Sequence, residues 1–237
     1  MQTVNRSGNW KHVWERKGQV AAPHLHHLNG YDLLSAEEWD EMVGKVAAPL
    51  GLEAGDRVYE CGCGAGAFLA SLQRLYPGIT VSGMDYSDSL VKVASSALEG
   101  EFKQGDIRDL SFLPAAAYDH VISFGAFQYL NSEQDAEKAV HEMTRLVAPG
   151  GTLAIGEVSD LAKKAEAMEI RAQSHKNQPK LSTADDLDHL YLPKSLFERV
   201  SADLGWPVTI VDHTTLGLPS YQAARYRYTA YFQGRHA

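Results

Sequence analysis

Cysteine is scarce in this chain: among 237 residues only Cys61 and Cys63 carry thiols, and two so close in sequence cannot staple distant elements. A structural zinc site wants four ligands, and no second cysteine pair exists to supply them, so no metal is expected. No run of about eighteen apolar residues occurs, so no membrane span is expected. Positive charge is also short. Against 30 Asp+Glu stand 22 Lys+Arg, a formal net charge of −8, which argues against the broad cationic face that tracks a phosphate backbone. Neither DNA nor RNA is expected as a partner. Residues 1–19 set Trp10 and Trp14 among Arg6, Lys11, Arg16 and Lys17, without the apolar stretch of a signal peptide. A cytoplasmic protein is the expectation, and the oligomeric state is not written in the sequence.

What is present is ordinary globular material, 44% hydrophobic and 22% charged, with neither internal repeats nor a Pro/Gly/Ser-rich linker. One domain over 1–237 is expected. Residues 1–34 form a polar N-terminal segment ending in His24-Leu25-His26-His27-Leu28-Asn29-Gly30-Tyr31. Ser35-Ala36-Glu37-Glu38 has the form of a capping box, and Trp39, Met42, Val43 and Val46 follow at helical spacing, so a helix is expected over 36–49. Then strand and helix signals alternate: strands over 57–60, 79–84, 101–104, 118–124 and 152–158, with helices over 67–75, 88–98 and 132–147. Such alternation implies parallel pairing with right-handed crossovers. A polar, mostly helical insertion over 159–192 follows, then a helix from Pro193 to Leu204 and strands over 208–211 and 224–232. With no helix between them, the last two strands should pair antiparallel. The fold class is α/β, a Rossmann-like doubly wound seven-stranded sheet, mostly parallel with an antiparallel last strand, and with helical lid elements.

The most informative stretch is Glu60-Cys61-Gly62-Cys63-Gly64-Ala65-Gly66-Ala67, where the first strand turns into its helix. Alternate glycines let the backbone turn tightly and let a ligand approach the main chain. A nucleotide-like ligand is expected there, at the carboxyl ends of the strands. Asp85, at the end of the second strand, is placed to accept both hydroxyl protons of a ribose. Gly62, Gly64 and Ala67 also satisfy the loose dinucleotide fingerprint, which keeps a nicotinamide-dependent oxidoreductase open.

The acidic residue leading three alternate glycines, Glu60 with Gly62, Gly64 and Gly66, resembles the pattern of class I S-adenosylmethionine-dependent methyltransferases. Gly105-Asp106-Ile107 resembles that family's adenine-contacting segment, and Phe124-Gly125-Ala126-Phe127 its methionine-side wall. Leu146-Val147-Ala148-Pro149-Gly150-Gly151 resembles its turn before the fifth strand. The resemblance covers 35–158 by motif and 205–233 by topology. It implies S-adenosylmethionine as cofactor, held by Glu60, Cys61, Gly62, Gly64, Gly66, Asp85, Tyr86, Asp106, Ile107, Phe124 and Gly125. The Y-x-x-x-K pair of short-chain dehydrogenases is missing, since Tyr191 and Lys194 are one residue too close.

The N/D-P-P-Y/F motif of adenine and glutamine methyltransferases is absent after the fourth strand, and the resemblance implies a small-molecule acceptor, as is common in family members without a separate recognition domain. Specificity then falls to a lid at 1–34 and the insertion at 159–192. A hydroxyl acceptor needs its proton removed, and the expected candidates are Glu157, His26 and His27. Tyr31, His213, Tyr221 and Arg225 are expected to bind a polar or anionic acceptor, methylated on a hydroxyl, carboxylate or phosphate oxygen. Open alternatives are N-methylation of an amine or amino sugar, protein or RNA methylation, and a non-catalytic S-adenosylmethionine-binding module.

Overall fold

The computed structural model describes residues 6–176 and 188–234. The stretch 177–187 of the expected insertion, and the ends 1–5 and 235–237, lie outside the described residues. The chain runs through α1 (Arg6–Lys17), α2 (Leu25–Leu28), α3 (Ala36–Ala47), β1 (Arg57–Cys61), α4 (Ala67–Leu75), β2 (Thr80–Asp85), α5 (Asp88–Ala97) and β3 (Phe102–Gln104). It continues through β4 (Tyr118–Phe124), α6 (Glu133–Leu146), β5 (Val147–Ser159), α7 (Lys164–Lys176), α8 (Lys194–Leu204), β6 (Val208–Asp212) and β7 (Arg227–Gln233).

Seven strands form one sheet in the order β3-β2-β1-β4-β5-β7-β6. The first five pair in parallel, and β7 lies antiparallel between β5 and β6. The Rossmann-like class and the antiparallel final pair expected above are therefore both present. Two strand boundaries differ by more than two residues. β5 starts at Val147 and runs through Pro149-Gly150-Gly151, because Val147 already pairs with Tyr118. The strand expected from 224 begins at Arg227, since Gln222–Tyr226 coil into a 3-10 turn.

Alternation along the strands divides the core into two layers. α3, α4 and α5 bury Trp39, Met42, Phe68, Leu72 and Val91 on one face, and α6 and α8 bury Val140, Met143, Phe197 and Val200 on the other. Each such side chain contributes roughly 1.5–3 kcal/mol. α3 begins with the expected capping box: Glu38 N donates to Ser35 Oγ at 3.2 Å, and Ser35 N donates to Glu38 Oε2 at 2.9 Å. At α6 only one side of the box forms among the described residues, Asp135 N donating to Ser132 Oγ.

The N-terminal helix is fastened to α5 by a carboxylate. Glu15 of α1 accepts from the backbone of Asp88 at 2.8 Å and of Ser89 at 3.1 Å, supplying the first turn of α5 with acceptors its own chain lacks. Among the described residues, no helix is long and apolar enough to cross a membrane.

Candidate active site

The carboxyl ends of β1, β2 and β4 open into a cavity of about 580 Å³, roofed by the N-terminal segment through Lys11, Trp14, Asn29 and Tyr31. Gly62, with φ +81°, turns the chain out of β1. A Cβ there would stand 2.5 Å from that of Ala126, so only glycine lets the two loops touch.

The loop's amides are already engaged. Gly62 and Cys63 donate to Met84 O at 2.7 and 2.9 Å, and Gly66 donates to Cys63 O at 2.9 Å. Gly64 donates to Asp85 Oδ2 at 2.9 Å, and Ala65 to Asn29 Oδ1 at 2.8 Å. A pyrophosphate cradle presents amide hydrogens to its ligand, and five consecutive amides here present none. Beneath the loop lies Glu60, with Oε2 unpartnered among the described residues. Burial, reinforced by Asp85, pushes its carboxyl well above the usual range. This chemistry disfavours a dinucleotide and leaves room for a ligand without phosphate.

Asp85 is 6% exposed and lines the cavity. One oxygen accepts from Gly64 N and the other from Ser87 N, which leaves each with further acceptor capacity. Burial raises its carboxyl to about 6, against the hydrogen bonds from Ser87 and Gly64. Tyr86, Asp106, Ile107, Phe124 and Gly125 line the same cavity. Asp106 is fixed by Arg108 at 2.5 Å, which also holds Asp135 at 3.0 Å. Cys61 does not reach the cavity; it is buried in the layer under α6, opposite the glycine loop. Glu60 and Gly66 also stand outside the lining, Gly66 as the N-cap of α4.

Tyr31, Tyr221, Gln128, Tyr129, His189 and Arg227 line the cavity as well. Here several sequence expectations are corrected. Arg225, within the 3-10 turn, points to Glu166 at 2.5 Å and is 56% exposed, so it faces away. Two residues on, Arg227 turns inward and pairs with Glu157. His26 is buried against Trp39, its Nε2 bonded to Leu34 O at 3.0 Å. His27 packs on His26. Both therefore support the roof and neither lines the cavity.

Glu157 sits at a bulge where β5 spends one residue more than β7 between paired positions, and its φ of +60° is unusual for a side chain of its size. The bulge aims its carboxylate inward, behind the cavity lining. It accepts from Arg227 and Tyr221 and meets His213 Nδ1 at 2.8 Å. Burial would raise its carboxyl, but Arg227, with His213 and Tyr221, holds it at about 2. His213 is fully buried, its Nε2 against Thr229 Oγ1 at 2.7 Å. Both residues expected to meet substrate thus serve as a buried support for Arg227 and Tyr221. Arg227 carried a sequence signal, a cation heading an otherwise apolar alternating strand, which must find a partner inside. Asn29 carried none beyond its place beside Gly30.

Comparison with known proteins gives a consistent picture. Residues 59–155 match the family model described as Methyltransferase domain. The chain is 31% identical over 160 residues to the demethylmenaquinone methyltransferase of Thermus thermophilus, covering 63% of this chain and 70% of that protein. It is 28% identical over 175 residues to methyltransferase GfsG of Streptomyces halstedii, covering 71% of this chain and only 60% of that relative's length. The fold resembles a SAM-dependent methyltransferase from Aquifex aeolicus with TM-score 0.55 at 17% identity, covering 84% of this chain and 93% of that one.

Proposed function

The chain belongs to the class I S-adenosylmethionine-dependent methyltransferase family, and from that premise we propose that it methylates an oxygen of a small, polar or anionic molecule. The observation that carries the cofactor part of this reading is the pairing of Asp85 with a glycine loop whose amides are all bonded within the protein. Such a site suits a ribose-bearing ligand that has no phosphate. When bound, the cofactor supplies an electrophilic methyl group on a sulfonium.

The rest of the work falls to this chain's residues. Asp85, with lone pairs to spare, would accept the ribose hydroxyls, and Asp106 and Ile107 would hold the base. Gly62 and Gly64 would let the aminoacyl portion approach the main chain. Phe124 and Gly125 line the cavity beside them. Trp14, Asn29 and Tyr31 exclude water from above, which strengthens every polar contact inside. In-line displacement draws much of its rate from positioning, and the fixed Glu157–Arg227–Tyr221 group supplies a rigid edge for the acceptor.

The test is a calorimetric titration with S-adenosylhomocysteine on the wild type and on Asp85→Ala. Micromolar binding, worth about 8 kcal/mol, that the substitution largely removes supports the reading. Acceptors are then screened by the mass gain of one methyl group. Absence of binding to the wild type rejects the reading.

A further inference from the structure

Resting on the methyltransferase reading, we propose that the acceptor carries a carboxylate, held by the guanidinium of Arg227 with the Tyr31 hydroxyl as a second donor. Among the described residues Arg227 is the sole buried lysine or arginine, 7% exposed, and it lines the cavity. Its Nη1 donates to Glu157, while its Nε has no hydrogen-bond partner among the described residues. Glu157 is in turn shared among Arg227, Tyr221 and His213. One carboxylate so divided cannot satisfy a five-donor guanidinium, and an orphaned buried donor costs stability until something accepts from it.

The geometry of that deficit selects the ligand. A planar two-oxygen anion matches the edge of a guanidinium, whereas a neutral hydroxyl satisfies one N–H at a time. A phosphate dianion would face Glu157 directly behind the guanidinium, with no second buried cation among the described residues to offset it. Tyr31 completes the arrangement. Its hydroxyl stands 2.7 Å from where a Cβ on Gly125 would be, and both residues line the cavity. Its ring is 6.2 Å from that of Tyr221. Burial, with Glu157 nearby, keeps the Tyr31 hydroxyl protonated and able to donate.

The experiment uses the full chain saturated with S-adenosylhomocysteine and follows binding of benzoate, cinnamate, octanoate and succinate by calorimetry. Each is run beside its primary amide, and phenyl phosphate is run beside benzoate. The expected result is binding of at least one carboxylate with its amide weaker by roughly tenfold or more. Arg227→Lys, which keeps the charge against Glu157 but loses the fork, should weaken that carboxylate about tenfold with S-adenosylhomocysteine affinity retained. Tyr31→Phe should weaken it about threefold, and decides the matter if Arg227→Lys does not fold. Equal binding of the amide, tighter binding of phenyl phosphate, no carboxylate bound, or unchanged binding in the folded variants overturns the proposal. Failure of the wild type to bind S-adenosylhomocysteine shows itself beforehand and counts against the methyltransferase reading instead. The same carboxylate series on unliganded protein then still decides this inference.

Discussion

Asn29 and Ala65, 36 residues apart in sequence, are joined at 2.8 Å by a bond from the Ala65 amide to the Asn29 side-chain oxygen, while Asn29 Nδ2 donates to Cys63 O at 3.1 Å. The roof and the glycine loop are thus fastened by one side chain that satisfies two backbone groups. Asn29→Ala leaves both without that partner, at a cost of about 1–3 kcal/mol. Urea unfolding should show the loss, and calorimetry should show weaker S-adenosylhomocysteine binding. A variant as stable and as tight-binding as the wild type would remove the fastening role.

Gly64 presses on the same residue. With φ +55°, it has its Cβ position 2.6 Å from Asn29 Oδ1, so Gly64→Ala adds backbone strain and drives the Asn29 side chain away. Limited proteolysis should then cut within residues 18–34 faster than in the wild type. Equal cleavage rates would show that the roof does not depend on this contact.

Asp85 costs the folded protein stability. Its carboxyl is raised from 3.8 to about 6 by burial, so the folded protein holds that proton more tightly than the unfolded chain. The destabilisation is absent below about pH 3.8, grows as pH rises, and is complete above about pH 6, where it amounts to roughly 2–3 kcal/mol. Asp85→Asn should therefore raise the thermal midpoint at pH 8 by several degrees and at pH 4 by much less, while abolishing S-adenosylhomocysteine binding. A midpoint gain independent of pH would contradict this account.

Glu157 acts in the opposite sense. Held at about 2 in the folded protein against an ordinary value of 4.5, it stabilises fully above about pH 4.5, and that contribution fades as pH falls towards 2. Glu157→Gln strands Arg227 and should cost about 3–5 kcal/mol, and the double variant Glu157→Gln/Arg227→Met should recover part of it. Additive losses in denaturant titrations would mean that the two side chains do not depend on each other.

The parts of this molecule legible in the sequence are those governed by local rules. Strand periodicity, the cap at Ser35, the turn at Gly62 and the placement of Asp85 at the end of β2 follow from period and turn chemistry. Misplaced residues share a different cause. Arg225 and Arg227 would share a face on a continuous strand, and only the 3-10 turn at Gln222–Tyr226 separates them. Glu157 looks like an edge residue until the bulge in β5 re-aims it. The histidines at 26 and 27 lie near the cleft in sequence logic, yet Trp39 and the Leu34 carbonyl claim His26. In each case a tertiary contact decided what spacing left open.

The internally bonded glycine loop divides thermodynamics from kinetics. A loop with its amides satisfied holds its shape before any ligand enters, so its ordering adds little entropy loss to binding. Among the described residues, the roof, with Lys11, Trp14, Asn29 and Tyr31 over the cavity, is the part that α5 and the glycine loop hold through Glu15 and Asn29. Substitutions at Glu15, whose carboxylate caps α5, should then quicken association and dissociation together, with the equilibrium constant almost unmoved. Asn29 is the exception because it belongs to both parts. The shape of the loop and the hold on the roof are in this way set by separate stretches of chain that meet at Asn29.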